Sequence, residues 1–158
     1  MEYSICPYRE SDAERLATII KAAIQTIGPQ AYLPEQVAAW AASHPGADNF
    51  RARAASGDKI FVAADMADNA AAYTLLQADG HLDHLYCHPD HTKRGLASLL
   101  LKTAEHYARQ HDLAQLYTEA SELARPTFER AGYRLVQRRD FELDGVPIHN
   151  YAMAKSLR

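Results

Sequence analysis

A chain of 158 residues, 47% apolar and 23% charged, has the size and composition of one globular domain with a substantial core. Its net charge of -3 argues against a nucleic-acid binder, which carries a strong basic excess. The nearest approach to a basic run, Arg134, Arg138 and Arg139, reads as a solvated strand face.

Residues 3–9 read as an edge strand interrupted by Pro7. Ser11 and Glu14 have the spacing of a capping box, and Leu16, Ile19, Ile20, Ala23, Ile24 and Ile27 follow at helical spacing until Gly28-Pro29. Pro34 starts a second helix with Val37, Trp40 and Ala41 on one face, stopped by His44-Pro45-Gly46. Residues 45–57 are small and polar and read as an exposed connection. Lys59–Met66 and Ala70–Gln77 are strands around the turn Ala67-Asp68-Asn69, and Asp79-Gly80 turns the chain into a third strand.

A long helix follows Gly95, then a strand at Ala114–Glu119. Ser121 caps a further helix that ends at Gly132. Tyr133–Leu143 and Val146–Lys155 form a hairpin across Asp144-Gly145. The order β-α-α-β-β-β-α-β-α-β-β gives a mixed α/β (α+β) fold. It predicts one domain, residues 1–158, with a single, mostly antiparallel sheet of about seven strands and four flanking helices.

The two cysteines, Cys6 and Cys87, suggest a reducing compartment rather than a disulfide scaffold. The opening MEYSICPYRESD lacks the pattern of a signal peptide, and no apolar run approaches the roughly 20 residues of a membrane span. The expectation is a cytoplasmic protein with no membrane or nucleic-acid partner.

Chemistry concentrates in Gly80–Arg109. Here a strand breaks at His88-Pro89-Asp90 and passes through Thr92-Lys93-Arg94-Gly95-Leu96-Ala97 into the long helix. Free N–H groups and the positive dipole end at a helix start hold phosphate, and Lys93 and Arg94 add charge there. Taken alone, the segment reads rather as an ordinary helix start with solvated cations. In the strand before it, the apolar positions Leu82, Leu85 and Cys87 break strict alternation, which predicts a bulge at Asp83-His84. Asp83 and His84 are the candidate proton acceptors, with His88 and His91 further off. His84, His88 and His91 lack the spacing of a metal motif, so no metal is expected, and Cys87 reads as a buried, inert thiol.

The runs LDHLYCHPDHTKRGLASLLL and EASELARPTFERAGYRLV, with the closing NYAMAKSL, resemble the GNAT superfamily of N-acetyltransferases over essentially the whole chain. The resemblance implies transfer of an acetyl group from acetyl-CoA to an amine, either a small molecule or a peptide amino group. A homodimer is left open. The family's phosphate pattern (Gln or Arg, two variable residues, Gly, one variable, Gly or Ala) falls on Thr92, Lys93, Arg94, Gly95, Leu96 and Ala97, with Ser98 just behind. Thr92 departs from it.

The same likeness assigns pantetheine and thioester contacts to the backbone of Leu85, Tyr86 and Cys87, a polar contact to Ser121, and the acceptor wall to a segment that includes Tyr32. Phe128 stands where many members place a tyrosine acid, so either Tyr117, Tyr133, Ser121 or water is the donor or the thiolate leaves unassisted. Phe128 itself is left to pack against the pantetheine sulfur. That departure keeps a second reading in play, a non-catalytic acyl-CoA-binding sensor or interaction module.

Overall fold

The computed structural model describes residues 2–44 and 46–158. The strands are β1 (Ser4–Pro7), β2 (Lys59–Ala64), β3 (Ala70–Leu76), β4 (Leu82–Cys87), β5 (Gln115–Ala120), β6 (Arg134–Leu143) and β7 (Val146–Ser156). The helices are α1 (Ala13–Ile27), α2 (Pro34–Ala42), α3 (Ala47–Ala55), α4 (Leu96–Gln110) and α5 (Arg125–Arg130). None of them is long and apolar enough to cross a membrane.

Period-two alternation along β2 sorts the first sheet into two faces. Ile60 and Val62 join Leu16, Ile19, Ile20 and Ile24 of α1 and Phe50 of α3. Phe61 and Ala63 turn the other way, toward Leu96 and Leu100 of α4. Each large aliphatic side chain buried this way contributes about 1.5–3 kcal/mol, so the α1 stripe alone outweighs its modest helix propensity. The α1 N-terminus differs from the Ser11–Glu14 box. A 3-10 turn at Glu10–Asp12 precedes the helix, and it is the Asp12 carboxylate that accepts the Arg9 N–H, at 2.9 Å. Glu14 instead pairs with Arg51.

The stretch read as a connection contains α3. A single fully buried anchor, Phe50, holds it to the core, while its other residues are alanine, arginine, aspartate and asparagine. One apolar residue makes no periodic stripe, which is why the helix was not legible. The stop expected at His44-Pro45-Gly46 includes Pro45, which lies outside the described residues.

The expected strands form two antiparallel sheets, ordered β1-β2-β3-β4 and β5-β7-β6. They meet where His81 bridges Tyr117 in parallel, the Tyr117 N–H donating to the Gly80 carbonyl at 3.1 Å. Thr118 Oγ1 donates to the Leu82 carbonyl at 2.7 Å. Beyond that point no strand pairing joins β4 to β5 among the described residues, and a gap opens between them.

Candidate active site

The bulge expected at Asp83-His84 is present. Leu75 of β3 pairs with His84 and Leu76 with Leu82, leaving Asp83 as the extra residue. Its effect on the side chains is decisive. Leu82, Leu85 and Cys87 all pack toward α4, while Asp83 and His84 both face α3. Without the extra residue the two polar side chains would point to opposite faces.

His84 is 5% exposed. Its Nδ1 lies 2.9 Å from the Tyr73 hydroxyl, and Phe50, His44 and Tyr86 pack edge-on around the ring. Burial drives the imidazole well below its ordinary value, so it is neutral at physiological pH. Asp83 accepts from Arg53 Nη2 of α3 at 2.9 Å and lies 3.7 Å from His84 Nε2. Burial raises its carboxyl, but the adjacent imidazole and the Arg53 guanidinium outweigh that and hold it below the usual carboxylate range.

Asp83 lines a cavity of about 230 Å³ that fills the gap between the two sheets. Leu85 and Tyr86 line it from β4, Thr118, Glu119 and Ala120 from β5, then Ser121 and Phe128. Tyr32, Trp40 and His44 close one side, and Arg139, Phe141 and Leu143 of β6 another. Tyr32 lines the cavity, but its hydroxyl is committed: it donates to the His149 carbonyl at 3.0 Å and accepts the Glu122 N–H at 2.8 Å. The Glu122 carboxylate is held below its ordinary range by hydrogen bonds from His149 Nε2 at 2.6 Å and the Tyr151 hydroxyl at 2.8 Å.

His81, Asp83 and Glu119 bring potential ligand atoms within 4.8 Å of one another. Each already has a protein partner: His81 Nε2 contacts Glu119 at 2.8 Å, which raises the His81 imidazole, and Asp83 holds Arg53.

β4 leads through a 3-10 turn at Pro89–His91 into the turn that starts α4. Lys93 and Gly95 both have positive φ, 61° and 77°, and Gly95 is the N-cap of α4. No side chain caps this helix, and the N–H groups of Gly95, Leu96, Ala97 and Ser98 make no hydrogen bond to a described residue. A Cβ on Gly95 would meet no protein atom within 4 Å, so the space over the turn is open and glycine is required for its φ alone. An uncapped fifteen-residue helix start facing open space fits the pyrophosphate of coenzyme A. Thr92 turns back to the Pro89 carbonyl, and Arg94 reaches Glu2.

His88 and His91 are not among the cavity-lining residues. The first accepts the Asp90 N–H, and the second contacts the Tyr3 hydroxyl. Of the candidate acids, Tyr117 donates to Asp79, away from the cavity, and Tyr133 is buried against Phe128, its hydroxyl without a partner among the described residues. Ser121 lines the cavity while its Oγ accepts the Ala124 N–H. The Cys87 thiol is pushed up to about 11 by burial, which suits an inert group.

Sequence reading missed Arg53, which lay in the supposed connection, and it misplaced Arg139. That residue alternates with Phe141 and Leu143 on the inner face of β6, opposite Arg138 and Asp140. The period-two pattern was the signal available for it.

The description "Acetyltransferase (GNAT) domain" belongs to the family model that matches residues 29–155. The chain is 28% identical over 146 residues to YafP, an uncharacterised N-acetyltransferase of Escherichia coli K12, covering 92% of this chain and 91% of that one. A GCN5-related N-acetyltransferase from Rhodopseudomonas palustris superimposes with a TM-score of 0.90 at 29% identity, covering 99% of this chain and 97% of that one. The PaiA N-acetyltransferase of Thermoplasma acidophilum, solved with coenzyme A, shares the fold with a TM-score of 0.77 at 16% identity over 99% of both chains. With the family model matching residues 29–155 and the split-sheet fold shared, the chain belongs to the GNAT acetyltransferase family.

Proposed function

We propose that the protein transfers the acetyl group of acetyl-CoA to a primary amine by direct attack in the cavity between β4 and β5. The observation that carries this reading is the Asp83 bulge, which presents an ionised carboxylate to the cavity beside the open edge of β4. Acetyl-CoA supplies a thioester carbonyl: the amine lone pair forms the C–N bond, the C–S bond breaks, and the sulfur leaves with its electron pair.

The chain's own residues do the rest. The N–H groups of Gly95 to Ser98, with Thr92, Lys93 and Arg94 around them, grip the pyrophosphate. The free edge of β4 at Leu85, Tyr86 and Cys87 bonds the pantetheine amides and offers an N–H to the carbonyl oxygen, a donor worth about 3 kcal/mol where such groups have been removed. Ser121 and Phe128 flank the sulfur from the β5 side.

Asp83 accepts the proton that the nitrogen gives up, directly or through one water. Once the lone pair is committed to carbon, that proton is far more acidic than in the free ammonium, so a carboxylate suffices. His84, buried and neutral, is a positioning residue that braces Asp83. Phe128 has no proton to give, so the thiolate takes one from water.

Thiol release from acetyl-CoA, followed over a panel of primary amines, tests the reading. Asp83→Asn should lower kcat by about 10²- to 10⁴-fold with acetyl-CoA binding retained. Tight acetyl-CoA binding without turnover on any amine would sink the transfer reading. A wild-type rate in Asp83→Asn would remove the proton-acceptor assignment.

A further inference from the structure

Among the described residues the cavity contains one arginine whose charge is not matched. Its carboxylates are each answered: Asp83 by Arg53, Glu119 by His81, and the neighbouring Glu122 by His149 and Tyr151. Arg139 is not. Its Nη1 donates to the Asn150 carboxamide oxygen at 3.0 Å, and its guanidinium lies 5.1 Å over the Phe141 ring, but no carboxylate among the described residues pairs with it. Arg138, the next residue on β6, faces the other way and is bonded to Asp140.

Asn150 and Phe141 are the cross-strand partner and the same-face neighbour of Arg139, so they fix the guanidinium in place. They leave its Nε and Nη2 without a hydrogen-bond partner among the described residues. That edge is the planar donor pair that matches a carboxylate bidentately.

We infer that the acceptor is a small amine that also carries a carboxylate, with Arg139 as its anchor and Asp83 beside the nitrogen. This rests on the amine-transfer reading above and names its substrate class. An unanswered, pre-positioned arginine in a cavity of about 230 Å³ selects a compact zwitterion and repels polycationic amines. The aromatic walls Tyr32, Trp40 and Phe141 accommodate an apolar body between the two charged ends.

The test compares amino acids of increasing amine–carboxylate spacing, from glycine to 6-aminohexanoate and including phenylalanine, each against its own amide, with spermidine as the polycation. For at least one pair the acid should exceed its amide in kcat/KM by about 10- to 100-fold, as expected for one charge-assisted bidentate contact. Arg139→Gln should cost the acid at least tenfold more than the amide, and Arg139→Lys should restore part of the difference. Calorimetric titration of the same acids into the CoA-saturated protein gives a readout independent of turnover.

Acids that bind in an Arg139-dependent way without being acetylated would leave the anchor standing and defeat the transfer reading. Amides or spermidine acetylated as well as the acids would overturn the anchor and keep the transfer. Equal losses for acid and amide in Arg139→Gln, or no binding of any acid, would also overturn it. The wild-type acid-to-amide ratio decides the matter even if Arg139→Gln fails to fold.

Discussion

A histidine with 5% exposure, ringed by Phe50, Tyr73, His44 and Tyr86, cannot take a proton without burying a charge. The folded state therefore releases a proton that the unfolded chain, titrating near its ordinary 6.5, still binds as the pH falls. Between that value and the depressed folded one the unfolded state holds the extra proton, so His84 makes stability fall on acidification, by up to about 1.4 kcal/mol per pH unit. His81 has the opposite sign: raised by Glu119, it stabilises at low pH and loses that contribution as pH rises through its folded value. Comparing wild type with His84→Asn, which keeps a partner for the Tyr73 hydroxyl, isolates the first effect. Urea midpoints from pH 7 to pH 5 should fall more steeply for wild type than for the variant. Parallel curves would show that His84 does not carry the acid sensitivity.

At the scale of elements, the start of α4 is where the chain accepts strain to expose donors. Two residues with positive φ within three positions, Lys93 and Gly95, aim the first N–H groups of the helix outward, and no side chain caps them. Gly95→Val would force a β-branched residue into a φ of 77°, at a cost of about 1–2 kcal/mol in stability. It would also put a side chain in the space over the turn, so acetyl-CoA affinity should fall by at least tenfold. Because a Cβ there touches no protein atom, the affinity loss should exceed what the stability change explains. Unchanged affinity measured by calorimetry would mean that this turn does not hold the nucleotide end.

For the whole molecule, the seam between the two sheets is the structural feature on which the cavity depends. Gly80, with φ of 99°, passes so close to β5 that a Cβ would lie 2.4 Å from the Gln115 carbonyl oxygen. The neighbouring bridge from His81 to Tyr117 is the strand pairing that joins the sheets among the described residues. Gly80→Val must therefore push β5 away from β4 or strain the turn, a loss of about 2–3 kcal/mol. The thermal midpoint should drop accordingly, with activity falling below what the folded fraction accounts for as the cavity walls separate. A variant with wild-type midpoint and rate would show that the seam tolerates widening.

Local sequence chemistry determined most of the elements and one half of the site. Alternation along β2, the α1 stripe, the Asp144-Gly145 hairpin and the broken pattern at Leu82, Leu85 and Cys87 each express a period or a turn preference that neighbouring residues impose on one another. The turn into α4 was legible for the same reason, since a helix start needs only its own backbone. Tertiary structure decided the rest. Arg53 reaches Asp83 from a helix with a single core anchor, and the gap between β4 and β5 depends on where two sheets stop pairing. Arg139 became a cavity residue only because β6 pairs with β7 in a register that sets it beside Asn150, on the face it shares with Phe141. The first two relations join residues far apart in the chain, and no local period encodes them, because burial and charge pairing are set by what the fold brings opposite.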